Sequence, residues 1–260
     1  MEARLRASND VGAADWIAPR LGPFAERIDS LVPGGFEAYA RIFHPAEEPY
    51  EARATWAEMA EWSGKVMHPH VEFAEGALEA GGRARGYEPR VGELPPDLVT
   101  ALSEALARHT RSPGRCWFCV WDGGWVRGPG VIMTLLGTPA DVRAEAKREW
   151  EAGWELPFGG EALAGPRVRL PGRDYVLLEG PLDAAGEIGE WRHWHGRSHF
   201  EPHSPNLWWP DDRAWCVATD IDLDSTHVGG SAALVEELLG DPRLEVLQVN
   251  GADERGDRVN

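Results

Sequence analysis

The sequence predicts an α+β fold, with a mostly antiparallel or mixed sheet and several packed helices. Short apolar runs typical of strands alternate irregularly with helical spacing, without the regular strand–helix–strand rhythm of a doubly wound sheet. The hydrophobic fraction of 43% is enough for a buried core. We expect one α+β domain over 1–260, with a possible subdivision near the Gly- and Pro-rich segment 153–173 and a frayed tail at 251–260.

The N-terminal third predicts one strand and two helical segments. Residues 12–30 have the apolar spacing of an amphipathic helix, although two prolines interrupt it. FEAYARIF (36–43) follows a Pro-Gly-Gly turn and predicts a strand. ATWAEMAEWSGK (54–65) has helical spacing and ends in Ser-Gly, whereas 75–92 is typical of a loop.

The clearest helix is predicted from about Pro95 to His109. Its prolines lie where a first turn tolerates them, Asp97 favours the N-terminal end, and leucine recurs every fourth residue. A second helix is expected over 138–150, where a Thr-Pro pair starts the first turn. A third is expected over 231–239 and ends at a glycine. Four apolar runs predict strands: CWFCVW (116–121), DYVLLE (174–179), RAWCVATDID (213–222) and LEVLQV (244–249).

The charge of the chain excludes several classes of partner. Acidic residues outnumber basic ones by 43 to 26, which gives a formal charge of −17. Nucleic acids and anionic membrane surfaces reward clustered Lys and Arg, so we expect neither as a partner. The basic run 143–148 is more typical of a solvated helix face than of a binding patch.

The sequence also predicts a soluble cytoplasmic protein. The N-terminus contains no apolar stretch resembling a signal peptide, and the longest aliphatic run, Val131 to Leu136, is far too short to span a bilayer. Three cysteines without an export signal argue against a disulfide scaffold.

Residues 191–215 form the most informative segment, WRHWHGRSHFEPHSPNLWWPDDRAW. They hold four of the nine histidines and five of the thirteen tryptophans. Trp194, Trp208 and Trp209 are candidate binding residues, because aromatic side chains are enriched at binding hot spots. Neighbouring tryptophans on a strand face opposite sides, so we expect at least one of them at a surface, groove or interface. A tryptophan-rich core is the alternative.

The histidines of this segment form an H-x-H-x3-H-x3-H run. Neutral imidazoles bind zinc and other divalent metals, so the run is a candidate metal site consisting of His193, His195, His199 and His203. Gly196 and two prolines disfavour a helix, so convergence would need a particular loop geometry. The alternative is separate imidazoles that bond backbone groups or pack beside tryptophan. MHPHVEF (67–73) looks extended and could add a pair of histidines on one face of a strand.

Two further motifs have both a chemical and a structural interpretation. Cys116 and Cys119 spell C-x-x-C, but residues three apart on a strand point to opposite faces, so we expect ordinary buried thiols there and at Cys216. Asp220, Asp222 and Asp224 alternate at a predicted strand end and could hold Mg²⁺ or Ca²⁺. A solvated strand end, with a serine at 231 capping the next helix, is the alternative.

Four strings resemble a family of actinobacterial proteins of unknown function, over about residues 30 to 249. They are VPGGFEAYARIFHP (32–45), RCWFCVWDG (115–123), LPGRDYVLLEGPL (170–182) and SPNLWWPDDRAWCVATDIDLDSTHVGG (204–230). The resemblance implies a bacterial cytoplasmic protein and transfers neither an activity nor a catalytic residue.

Two functional hypotheses follow. The first is a non-enzymatic binding protein without a cofactor, with an acidic surface and an aromatic face formed by 191–215, whose partner is a protein or a small molecule. An immunity-type binder of a basic effector would fit this charge. The alternative is a metal-dependent hydrolase-type enzyme, in which the 193–203 histidines hold Zn or another divalent ion that activates water, with Glu201 as a base.

Overall fold

The computed structural model describes residues 4–23, 27–47, 53–73, 87–128 and 152–253. Within them are three α-helices: α1 (Trp56–Ser63), α2 (Pro96–Arg108) and α3 (Ala232–Gly240). The strands are β1 (Arg6–Ala7), β2 (Ala38–Phe43), β3 (Ala46–Glu47), β4 (Arg53–Ala54), β5 (Glu88–Pro89), β6 (Cys116–Trp121), β7 (Trp154–Glu155), β8 (Val168–Leu170), β9 (Arg173–Gly180), β10 (Gly189–Trp194), β11 (Arg197–Pro202), β12 (Leu207–Pro210), β13 (Cys216–Ala218), β14 (Ser225–Gly230) and β15 (Val246–Val249).

The main sheet has nine strands in the order β1-β9-β6-β12-β13-β14-β2-β15, with β8 also paired to β9. Two small three-stranded sheets, β11-β10-β7 and β4-β3-β5, accompany it. All pairings among the described strands are antiparallel. The predicted α+β fold is therefore confirmed, with an antiparallel sheet.

Helices cover one face of the main sheet. Alternate residues of β6 point to this face, where Phe118 stacks on Trp208 with ring centroids 6.0 Å apart. The leucines at every fourth position of α2 and the apolar side of α3 pack in the same cluster. Trp215 also belongs to it and donates its indole N–H to the backbone carbonyl of Leu106 in α2 at 3.1 Å.

The N-terminal segment covers the opposite face. Trp117 and Trp209 point to this side, where Ile17 and Ile28 pack against the sheet and Trp16 contacts Trp209 edge-on at 6.2 Å. The segment consists of short 3-10 helices, Val11–Ala14, Ala18–Arg20 and Ile28–Ser30. Short 3-10 helices thus replace the amphipathic helix predicted over 12–30, and that prediction is wrong. Proline lacks the N–H that a continuous helix needs.

Most other predicted elements are confirmed. The helices at 54–65, 95–109 and 231–239 correspond to α1, α2 and α3, and the strands at 36–43, 116–121, 174–179 and 244–249 correspond to β2, β6, β9 and β15.

The strand predicted at 213–222 is shorter than expected, since the acidic residues lie in a turn after β13. His68 and His70 lie in a turn instead of a strand. The run 131–136, the basic cluster 143–148 and the helix predicted at 138–150 lie outside the described residues.

The segment 153–173 is tied to the core. Leu156, Phe158 and Ala162 pack in the cluster on the helical face of the main sheet. At the C-terminal end, Ile28 N–H donates to Asp253 O at 3.0 Å and Asp29 N–H donates to Gly251 O at 2.8 Å. The first residues of the predicted frayed tail are therefore fixed by the N-terminal segment, and the single domain stays a prediction.

The three cysteines are buried on the sheet. Cys116 lies on the helical face, whereas Cys119 and Cys216 lie on the opposite face, as the strand geometry predicts. Burial raises the pKa of the Cys116 thiol to about 12, with nearby aspartates as a smaller cause, and raises the pKa values of Cys119 and Cys216 as well.

We expect all three thiols to be unreactive toward Ellman's reagent in the native protein at mildly alkaline pH, since the reacting species is the thiolate. All three should react once denaturant unfolds the chain. Absorbance of the released thiolate over time measures both states. Rapid reaction of any cysteine in the native protein would contradict this packing.

Candidate functional site

The tryptophan- and histidine-rich segment begins with a β-hairpin. Strands β10 and β11 pair from Gly189 opposite Pro202 to Trp194 opposite Arg197, and β7 extends them into a small sheet. His195 and Gly196 form the two-residue turn, with φ values of 48° and 73°. A turn with two positive φ values matches the twist of a hairpin, and glycine meets that requirement without strain.

One face of the hairpin carries an aromatic row. Trp191 lies 5.2 Å from Phe200 on the neighbouring strand and stacks on His193 at 6.2 Å, with an interplanar angle of 12°. His193 Nδ1 lies 2.8 Å from Ser198 Oγ, and its Nε2 lies 3.2 Å from Glu155 Oε2. The Trp191 side chain keeps 37% of its surface exposed, so the row faces outward.

The other face of the hairpin is mixed. Near the turn, Trp194 is 41% exposed and contacts the His195 ring edge-on at 4.8 Å. Farther along the strands, His199 Nε2 lies 3.2 Å from Glu201 Oε2. This face therefore combines one exposed indole with an exposed imidazole–carboxylate pair.

Buried polar contacts anchor the hairpin at its base. Glu190 is only 3% exposed, and its carboxylate accepts a hydrogen bond from Trp154 Nε1 at 2.7 Å while pairing with Arg192. Beyond β11, His203 stacks on Trp125 at 4.4 Å, and its backbone N–H donates to Ile188 O at 2.8 Å. These contacts attach the base of the hairpin, and with it the exposed rings, to the rest of the fold.

The structure does not bring the four candidate metal ligands together. His193 and His199 project from opposite faces of the hairpin, His195 lies in the turn, and His203 lies at the base. His203 Nδ1 lies 3.3 Å from Glu93 Oε1, so three of the imidazoles have separate carboxylate neighbours. In the described ranges, no three His, Cys, Asp or Glu residues are grouped so that they could hold a metal ion. A metal site stays a prediction, which elemental analysis of the purified protein would test.

Trp208 and Trp209 do face opposite sides, but both are core residues. Each is 1% exposed, because helices cover the side of Trp208 and the N-terminal segment covers the side of Trp209. The expectation that one of them lies at the surface is wrong. Of the three candidate binding tryptophans, only Trp194 is available to a partner that approaches from solvent.

The three aspartates after β13 are paired with arginines. Arg173 bonds Asp220 and Asp222, and Asp224 lies 3.5 Å from Arg41. In the structure, guanidinium groups neutralise these carboxylates. The sequence spacing had suggested that a Mg²⁺ or Ca²⁺ ion would do so. Ser231 caps α3 by accepting a bond from Leu234 N–H at 3.2 Å, so that structural alternative is confirmed.

Sequence reasoning missed a buried polar network beside β2. His44 is fully buried, with Nδ1 2.6 Å from Arg90 O and Nε2 2.9 Å from Thr226 Oγ1. A carbonyl can only accept, so Nδ1 carries the proton and Nε2 accepts from the hydroxyl. Burial lowers the pKa of His44 to about 4, and the charge of Arg41 adds to the effect. The sequence offers no local signal for this network, because the FHP string around His44 is apolar and the hydrogen-bond partners lie far away in the sequence.

Comparisons with known proteins returned no match: no family model, no curated protein and no solved structure resembles this chain at a significant level. The resemblance to actinobacterial proteins therefore stays a prediction. None of the helices in the described part of the chain has the length and apolar character that a bilayer crossing requires.

Replacing Trp208 with alanine should lower the free energy of unfolding by about 3–5 kcal/mol, because the deletion leaves a cavity in the core. Trp194→Ala, at an exposed position, should change it by about 0.5 kcal/mol or less. Urea denaturation of both variants measures the difference. Equal stabilities would contradict the placement of these two indoles.

The pKa of His44 predicts a loss of stability in mild acid. Its folded-state pKa lies below the unfolded value of about 6.5, so the neutral imidazole stabilises the fold fully above that pH. As the pH falls from 6.5 to 4, about 3 kcal/mol of unfolding free energy should be lost.

Denaturation of the native protein and of His44→Asn across this pH window measures the effect. The asparagine variant cannot titrate there, so its stability should depend less on pH. The same slope in both proteins would contradict the assignment.

Proposed function

We propose that the chain is a non-enzymatic binding protein, and that the hairpin of β10 and β11 contacts a basic surface on a protein partner. The observation that supports this most directly is the exposure of Trp191 and Trp194. All other tryptophans in the described ranges are buried or half-buried. Within the described ranges, the two exposed tryptophans therefore belong to one structural element.

The geometry of the hairpin supports the proposal that its exposed indoles form a contact surface. The two indoles lie on β10, and the register of this strand with β11 is fixed by a tight turn and by the buried Glu190 at the base. Trp191 is further held by Phe200 and His193 on its own face. Rigid aromatic side chains lose little entropy on binding, which is why they dominate hot spots.

Charge favours a basic partner. The chain carries a formal charge of −17, and the exposed carboxylates of Glu155 and Glu201 lie beside the hairpin imidazoles. Guanidinium and ammonium groups are attracted to the face of an indole. A cationic partner would be steered by the acidic surface and held by the exposed rings.

The test is affinity purification from the native cells with the intact chain, followed by measurement of the dissociation constant for each purified partner. We expect a partner with a basic surface whose binding weakens as salt rises. The double variant Trp191→Ser/Trp194→Ser should weaken this binding by about thirtyfold or more, which corresponds to the loss of a hot spot.

Leu239→Ser is the matched control, because Leu239 is a large apolar residue with 44% exposure that lies on α3, outside the hairpin. It should leave the dissociation constant unchanged. Equal affinity of the partner for the double variant and the intact chain would contradict the proposal. Binding that is insensitive to salt would contradict it as well.

A further inference from the structure

A second surface, apart from the hairpin, contains a polar pocket of about 430 Å³. Its walls come from three distant parts of the chain: the N-terminal segment at Asp10, the start of β6 at Arg115 and Trp117, and the turn after β12 at Asp211 and Arg213. The edge of Trp209 also borders it. The volume is in the range of small-molecule sites.

We infer that this pocket binds a zwitterionic α-amino acid. Arg115 lies over the Trp117 ring at 5.2 Å and 3.7 Å from the Asp211 carboxylate, so these two charges are matched. Trp117 Nε1 donates to Asp211 Oδ1 at 3.3 Å and holds that carboxylate in place.

The other two charges are opposite in sign and unmatched. Within the described part of the chain, Asp10 and Arg213 form no ion pair with each other or with any other residue, although both line the same pocket. A cation and an anion that face one cavity without meeting leave room for a ligand that carries both charges. Arg213 can hold a carboxylate with two parallel N–H bonds, and Asp10 can accept from an ammonium group.

The backbone at Arg213 is held in a conformation that arginine disfavours. Its φ is 55°, in the left-handed region. The preceding residue, Asp212, maintains the turn by accepting bonds from Thr110 Oγ1 at 2.8 Å, Arg111 N at 2.8 Å and Ala214 N at 3.2 Å. Strained backbone conformations cluster at functional sites, so the positive φ supports a binding role for the Arg213 side chain.

The surroundings of Arg213 strengthen the positive end of the pocket. Its guanidinium lies 5.6 Å from the centre of the Trp16 ring, and Arg20 lies over the same ring at 5.5 Å. Two cations on one indole, in a chain that is strongly acidic overall, favour a carboxylate there. Trp117 and Trp209 border the pocket but are only 3% and 1% exposed, so the ligand is recognised mainly through its two charges.

The probes are leucine and phenylalanine, titrated into ¹⁵N-labelled protein. The indole N–H signals of Trp117 and Trp209 should shift and saturate. N-acetyl-leucine lacks the ammonium group and leucinamide lacks the carboxylate, so each should bind at least about tenfold more weakly than leucine, which corresponds to one charge-assisted contact.

Arg213→Gly is the decisive variant, because glycine adopts a positive φ without strain and the fold should be kept. It should weaken leucine binding by about tenfold or more. Arg169→Ala, an exposed arginine on β8 outside the pocket, is the control and should leave binding unchanged. The inference is overturned if neither amino acid gives a saturable shift, if a blocked analogue binds as tightly as leucine, or if Arg213→Gly binds leucine like the native chain.

Discussion

Coverage of the main sheet on both faces is the constraint on which the rest of the structure depends. Helices α2 and α3 lie over one face and the N-terminal 3-10 segments over the other, so both faces of β6 and β12 favour apolar side chains. CWFCVW meets this demand in β6, and LWWP meets it in β12. The same constraint explains why two adjacent tryptophans are both buried and why the C-x-x-C motif places its thiols in separate, unreactive surroundings.

Arg41, inside β2, shows how a buried polar residue of the main sheet is paired. Arg41 is 2% exposed, and its guanidinium bonds Ser225 Oγ at 3.0 Å and the backbone carbonyls of Pro69 and Val71. A buried charge is tolerated when such partners replace water. Acidic and basic residues that look like candidate ligands in the sequence are therefore part of the framework, as Asp220 and Asp222 are on Arg173.

The fold was largely predictable because continuous apolar runs and helix caps are local signals. The hairpin was missed because a search for metal ligands compares histidine spacing with helical faces. The alternation in WRHW and RSHF around a His-Gly turn was the signal that could have found it. The pocket at Arg213 could not be predicted, since its walls lie about a hundred residues apart along the chain and meet through the register of β6 with β12 and the packing of the N-terminal segment on the sheet. Exposure of Trp194 and burial of Trp208 likewise depend on which elements cover them, which no local pattern encodes.

The small sheet of β11, β10 and β7 lies outside the constraint that governs the main sheet. Its outer faces are only partly covered, so Trp191 and Trp194 keep 37% and 41% of their surface exposed after folding. Trp191 and Trp194 therefore leave hydrophobic surface unburied that a partner could cover, whereas β12 of the main sheet is buried at every position. Because the hairpin is attached through Glu190 and Trp154, and not through the residues that line the Arg213 pocket, substitutions at one surface should leave the other intact. This separation allows a macromolecular contact and a small-molecule site to be tested independently in the same chain.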